Sequence, residues 1–241
     1  MRSLFVLLFC SALSFGDAGD VIKIIPAPAG EPDGLEWVNG SLYITSDQSF
    51  KIYQISPADG AVISSFDAPG SGAALTGLCY DGTYLWSCRP PSIYKLSLPS
   101  GSVVSTIPSP SPSASEGLAW LPPNLRNANS SNDVIYELDP ATGAILSYYT
   151  PTGADGTLGL CYDGTYLWAS FMGSMLIYRM IPGDPVPVQF FLAPSESPQD
   201  ICWDGQYLWM TEYLPSAHVY QIDPGVVGFE SGSWGEIKTS F

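Results

Sequence analysis

Five segments of this chain align with one another at a nearly constant interval. They are Gly34-Leu35-Glu36-Trp37, Gly77-Leu78-Cys79-Tyr80, Gly117-Leu118-Ala119-Trp120, Gly159-Leu160-Cys161-Tyr162 and Asp200-Ile201-Cys202-Trp203, and their first residues lie 43, 40, 42 and 41 positions apart. Two copies are identical over ten residues: Gly77–Trp86 and Gly159–Trp168 both read Gly-Leu-Cys-Tyr-Asp-Gly-Thr-Tyr-Leu-Trp. A period near forty residues marks a unit that cannot bury its own hydrophobic faces and must stack on its neighbours.

Within the fourth repeat, four strand-like runs follow one another: Leu158–Tyr162, Tyr166–Ser170, Leu176–Met180 and Val188–Leu192. They are rich in aromatic and branched residues. The turn between the first two is Asp163-Gly164, a pair that favours a tight hairpin. The turn before the fourth run reads Asp139–Gly143 in the third repeat and Ser56–Gly60 in the first, each with Pro and Gly where the chain reverses. No stretch shows helical periodicity over three turns. Four antiparallel strands per unit make a propeller blade. The expected fold is therefore all-β, a five-bladed β-propeller with four antiparallel strands per blade.

The fifth repeat supplies only three clear strands, near Asp200–Trp203, Tyr207–Thr211 and His218–Ile222. Val21–Ile25 precedes Gly34 as Val188–Leu192 precedes Asp200, so the N-terminal strand is expected to close the last blade. Val226–Phe229 competes for that position. The third repeat carries Leu121-Pro122-Pro123-Asn124-Leu125 where others have Asp-Gly. Proline removes a ladder donor, so its second strand is expected to be short or irregular. Trp37, Tyr80, Trp120, Tyr162 and Trp203 are expected to fill the gaps between blades.

The ends differ from the middle. Met1-Arg2 followed by an apolar run from Leu4 to Phe9, with small residues near Gly16 and Ala18, has the pattern of a secretory signal. The domain reading is 1–18 signal peptide, 19–225 propeller and 226–241 C-terminal tail. Export to a secreted, periplasmic or extracellular place follows. No later apolar run reaches membrane-spanning length, and a monomer is expected. The formal charge of −15 and the absence of a basic stripe argue against nucleic acid as a partner.

Connectivity divides the loops between two rims. Turns joining strands one to two and three to four repeat almost unchanged, as at Asp81-Gly82, Asp163-Gly164 and Asp204-Gly205. The loops on the other rim differ in every blade, and variable loops on a rigid scaffold are where function concentrates. The mouth of the channel on that rim is expected to be ringed by Asp33, Thr76, Glu116, Leu158 and Gln199, with Glu36 deeper and Asp200 beside Gln199. The ends of the second strands add Asp47, Arg89, Asn129, Phe171 and Glu212. The ligand-binding candidates are Asp33, Asp47, Arg89, Glu116 and Glu212. Asp33 and Glu116 are oxygen donors for a divalent cation in the channel mouth, and Arg89 is a fork for a carboxylate.

Chemistry for nucleophilic catalysis is thin, and no catalytic residue is assigned. The one histidine, His218, falls on the outer part of the last blade, far from the mouth, and reads as structural. No zinc set or phosphate loop is present. Sequons begin at Asn39 and Asn129. With Asp81-Gly82 as the turn, Cys79 is placed opposite Tyr84 and Cys88 near Leu75, so no disulfide joins them. Cys79, Cys88, Cys161 and Cys202 read as buried free thiols.

The motif Gly-Leu-x-Tyr-Asp-Gly-x-Tyr-Leu-Trp, followed by Ile-Tyr-x-Leu-Asp-Pro-x-Thr-Gly at Ile135–Gly143, resembles the exported YVTN-type propeller repeats. It is also similar to the five-bladed glutaminyl-peptide cyclotransferases, and the likeness spans Val21 to Gly225. The tail from Glu230 to Lys238 resembles a motif, Glu-x-x-x-Trp-Gly-x-Ile-Lys, at the ends of some exported bacterial proteins. These motifs are turns and core positions, so they specify a blade and not an activity. The leading expectation is an exported noncatalytic binding or scaffold module, with a small molecule, peptide or protein held over the central channel. The alternatives are a glutaminyl-peptide cyclotransferase-like enzyme working through Glu116, and a metal-dependent hydrolase similar to the lactonases.

Overall fold

The computed structural model describes residues 17–70 and 75–225. Its secondary structure is twenty strands in five four-stranded antiparallel sheets, with no helix among the described residues. Strand β1 is Val21–Pro26. The first blade holds β2 (Pro32–Val38), β3 (Ser41–Ser46), β4 (Lys51–Ile55) and β5 (Val62–Asp67). The second holds β6 (Leu78–Tyr80), β7 (Leu85–Arg89), β8 (Ser92–Ser97) and β9 (Ser102–Pro108). The third holds β10 (Ser115–Leu121), β11 (Asn124–Asn129), β12 (Val134–Leu138) and β13 (Ile145–Tyr149). The fourth holds β14 (Thr157–Tyr162), β15 (Leu167–Phe171), β16 (Leu176–Met180) and β17 (Pro187–Leu192). The last blade takes β18 (Pro198–Trp203), β19 (Leu208–Glu212) and β20 (His218–Ile222), with β1 as its fourth strand.

The first strand of each blade is innermost. These strands touch one another in order, and β18 touches β2, which closes the ring. Closure is fixed as the sequence indicates: β1 runs antiparallel to β20, with Ile24 opposite Tyr220 and Ile25 opposite Val219. The rival segment Val226–Phe229, residues 1–16 of the signal reading and the tail lie outside the described residues.

The repeated Asp-Gly-x-Tyr-Leu-Trp motif does more than turn the chain. Oδ1 of Asp163 accepts the N–H groups of Thr165 and Tyr166, and Oδ2 accepts the indole N–H of Trp168 at 2.8 Å. Asp81 with Trp86 and Asp204 with Trp209 repeat this arrangement. One carboxylate thus fixes the turn and the rotamer of a tryptophan that fills the space between blades. Trp86, Trp168 and Trp209 are the largest fully buried side chains. The first blade makes its turn differently. Asn39 and Gly40 both adopt positive φ, 48° and 88°, as the tight primed hairpin requires.

Three expectations are corrected. Because Asp81 N–H bonds the carbonyl of Tyr84, the turn is centred on Gly82-Thr83, one residue later than assumed, and Cys79 faces Trp86 rather than Tyr84. Cys79 and Cys88 are nonetheless free and buried, as are Cys161 and Cys202. The second strand of the third repeat is neither short nor irregular. Pro122 and Pro123 sit in the turn, outside the ladder, and β11 pairs with β12 from Leu125 to Asn129. Trp37, Tyr80, Trp120, Tyr162 and Trp203 flank the blade interfaces but stay half-exposed at one end of the axis, while the tryptophans of the second strands fill the interior.

Candidate functional site

Where the innermost strands begin, their backbones crowd the axis. A Cβ added at Gly77 would stand 2.5 Å from the Cα of Gly117, and one at Gly159 2.6 Å from the Cα of Asp200. Four blades therefore carry glycine at this level. The fifth carries Asp200, and its side chain fills the centre. Oδ2 accepts the N–H of Leu35 at 2.8 Å and of Leu78 at 3.3 Å, and Oδ1 accepts that of Ile201 at 3.0 Å. Burial pushes this carboxyl up to about 8, opposed by those backbone donors. The recess above it, lined by Asp33, Glu116, Leu158 and Gln199, leaves no room for the centre of a water-sized sphere. The channel is thus plugged, and a ligand on this rim rests on the plug.

A second ring of contacts holds the mouth in shape. The Thr45 hydroxyl accepts the N–H of Gly34 at 2.6 Å and donates to the Leu75 carbonyl at 3.0 Å. Ser170 makes the same link from Gly159 to Gln199, and Thr211 from Asp200 to Asp33. In these three blades the second strand thereby ties its own first strand to the next blade, and in the second blade the Cys88 thiol takes this position, 3.6 Å from the Ser115 carbonyl. The third blade has Ala128 at this position. There Asp133 takes over, accepting the N–H and hydroxyl of Thr157.

Of the five ligand candidates, Asp33 and Glu116 line the recess above Asp200, and Asp47 lies near enough for its charge to raise both carboxyls. Asp33 is buried at the mouth, and its Oδ1 accepts from Gln199 Nε2 at 2.6 Å. Burial raises its carboxyl well above the ordinary range, and the nearby charges of Asp47, Glu116 and Asp200 raise it further. Glu116 accepts from the Ser130 hydroxyl at 3.1 Å, and its carboxyl is raised by burial and by Asp47. Asp47 accepts from the Tyr213 hydroxyl at 3.1 Å, and burial with Glu31 nearby brings it to about 6. Each of the three has a neutral donor, and none has a cationic partner among the described residues. Among those residues no three His, Cys, Asp or Glu side chains stand close enough to hold one metal ion.

The other two candidates point away from the axis. Glu212 is buried within the last blade, where it accepts from His218 N–H, the His218 ring, the Ser195 hydroxyl and the Tyr220 hydroxyl, at 2.8–2.9 Å. Burial alone would raise its carboxyl, but these bonds hold it below the ordinary value. Arg89 donates to the Tyr94 hydroxyl at 3.2 Å, lies over that ring and packs against Gly70. Glu36, expected below the same mouth, lines a recess at the opposite end. Tyr213 and Gln199 supply donors to the acidic mouth. Gln199 was visible from its place in the repeat, while Tyr213 carried no signal because it lies in a loop without a counterpart.

No family model matches the chain, and no curated protein does. Solved structures match in fold. Glutaminyl cyclase of Myxococcus xanthus superposes with a TM-score of 0.72 at 15% identity, over 88% of this chain and 100% of that one. Virginiamycin B lyase of Staphylococcus aureus gives 0.51 at 17% identity, over 83% of this chain and 68% of the lyase. At such identity the likeness is one of architecture. It agrees with the five-bladed propeller expected from the cyclotransferase-like repeats. No helix among the described residues is long and apolar enough to cross a membrane.

Proposed function

We propose that this chain is an exported binding module that takes a cationic group on its variable-loop rim, over the plugged axis. The observation that supports it best is the convergence of Asp33, Asp47 and Glu116 without a counter-charge. Carboxylates gathered in a partly dehydrated site repel one another, and a cation relieves that repulsion. A divalent ion would take oxygens from Asp33 and Glu116. An amine would take hydrogen bonds from the same atoms. The plug of Asp200 and the short links through Thr45, Ser170 and Thr211 keep the mouth rigid, as a preorganised site needs. The signal-like N-terminus supports export.

The test is thermal unfolding of the mature domain with calcium, magnesium, zinc and a primary amine. A saturable rise in melting temperature that Glu116→Gln diminishes supports the reading. No rise with any of them removes it.

A second reading has one observation in its favour, the match of this fold to the whole of a glutaminyl cyclase. In it Glu116, whose carboxyl burial raises above its ordinary value, accepts a proton from the terminal amine of a glutaminyl peptide as that nitrogen attacks the side-chain amide carbon, and returns the proton to the departing ammonia. Release of ammonia from such a peptide by the wild type, lost in Glu116→Gln, would establish this reading over the first.

A further inference from the structure

At the end of the axis opposite the acidic mouth, Tyr80, Trp120, Tyr162 and Trp203 wall a recess that also contains Glu36. The four aromatics occupy one position of the repeat in successive blades, and each is only half-buried. Glu36 occupies the position held by Cys79, Ala119, Cys161 and Cys202 in the other blades, and it is the one carboxylate in that ring. Those small residues are all buried, so blade packing at this level is satisfied without a charge. Glu36 Oε1 accepts the N–H of Trp37 at 2.8 Å, and among the described residues no basic side chain pairs with it. Its carboxyl is pushed up to about 8, by burial first and by the Asp200 charge as well. A partly buried acid that packing does not require is costly to keep unless something uses it.

We propose that this recess binds the ammonium head of a small organic cation, with Glu36 supplying the opposite charge and the aromatic side chains that line it completing the site. An ammonium ion against several aromatic faces is attracted by the ring quadrupoles, and methyl groups on nitrogen pack on the same surfaces. The recess gives the centre of a water-sized sphere about 60 Å³, which suits a head group and not a whole peptide. A divalent metal fits poorly, since one carboxylate and a wall of rings cannot replace its water shell. A neutral apolar ligand leaves Glu36 unused. The net charge of −15 raises the local concentration of any cation. The recess lies at the far end of the axis from the acidic mouth, so this site is independent of the function proposed above.

The experiment titrates the mature protein with choline and tetramethylammonium, following tryptophan fluorescence and heat, and compares 3,3-dimethylbutanol, the neutral isostere of choline. Both cations are expected to bind saturably, and the isostere about tenfold more weakly or worse. Glu36→Gln and Trp203→Ala should each weaken choline by a similar factor of about ten. Glu36→Cys, which installs the residue of the other blades, serves if Glu36→Gln does not fold, and should weaken choline likewise. Equal binding of choline and its isostere overturns the proposal. So does choline binding that survives loss of Glu36 but is lost in Glu116→Gln, which would assign it to the acidic mouth. Absence of saturable binding by either cation also overturns it.

Discussion

The carboxylate of Asp200 accepts the backbone N–H of Leu35 at 2.8 Å, so the last blade grips the first directly across the axis. The same side chain holds Leu78 of the second blade. Asp200→Asn would turn one acceptor into a donor facing donors, and Asp200→Gly would restore the residue of the other blades while removing every bond. Leaving a buried N–H without an acceptor costs roughly 1–3 kcal/mol, so Asp200→Asn is expected to lower unfolding free energy by about that much. Urea unfolding checks both variants. A glycine variant more stable than the wild type would show that the plug is not structural.

The turn carboxylates give a threefold internal test. Asp81→Ala, Asp163→Ala and Asp204→Ala each remove two backbone bonds and the indole bond to Trp86, Trp168 or Trp209. The expected loss is about 2–3 kcal/mol in each case, similar among the three because the geometry repeats. Asn39→Ala, in the first blade, removes no such link and acts only through its positive φ. Denaturant midpoints of the four variants decide this.

The ring, the strand count and the closing strand were legible because each is written more than once. A period near forty residues, an Asp-Gly turn and a missing fourth strand are pattern-level signals. The direction of individual side chains was not legible. The Asp-Gly turn was set one residue too early, which put Cys79 opposite Tyr84 instead of Trp86, two positions along on the same face of the partner strand. Glu212 looked like a rim acid because its four donors come from Ser195, His218 and Tyr220, which no local pattern connects to it. Asp200 was aligned with four glycines and placed beside Gln199 at the mouth, but its side chain was not expected to plug the axis, because the bonds that hold it come from Leu35 and Leu78 in other blades. The carboxylates of the mouth were found because their place in the repeat fixes their place on the axis.

Removing residues 1–28 takes away β1 and leaves β20 as an open edge in the last blade. Ile25, almost fully buried between Trp209 and Val219, would be lost with it. The truncated protein is expected to unfold at a clearly lower urea concentration and to associate through the exposed edge. An unchanged midpoint and a monomeric sedimentation profile would contradict closure by β1.

The four cysteines of the blades should be silent in the folded protein. All are buried and free, and burial raises each thiol far above its ordinary value. A thiol reagent at neutral pH is expected to label none of them in buffer, and all four in concentrated guanidinium without reductant. Fewer than four on unfolding would reveal a disulfide, and rapid labelling of the native protein would reveal an opening at a blade interface.

The acidic mouth sets the direction in which stability changes with pH. Asp47 sits at about 6 in the folded protein, above its unfolded value near 4, because burial and Glu31 disfavour its charge. The folded state therefore holds the extra proton between those values. This contribution is fully present below about pH 4 and is lost as pH rises through about 6. Asp33 and Glu116 are raised as well, which gives the same sign. Urea midpoints are expected to fall between pH 5 and pH 8, with a share for half-exposed Asp47 on the order of 1 kcal/mol after solvent screening. Asp47→Asn should flatten that fall and leave the protein at pH 8 at least as stable as the wild type, at the loss of any cation held there. A midpoint that rises over the same interval, or an Asp47→Asn profile parallel to the wild type, would mean that folding does not raise the mouth carboxyls.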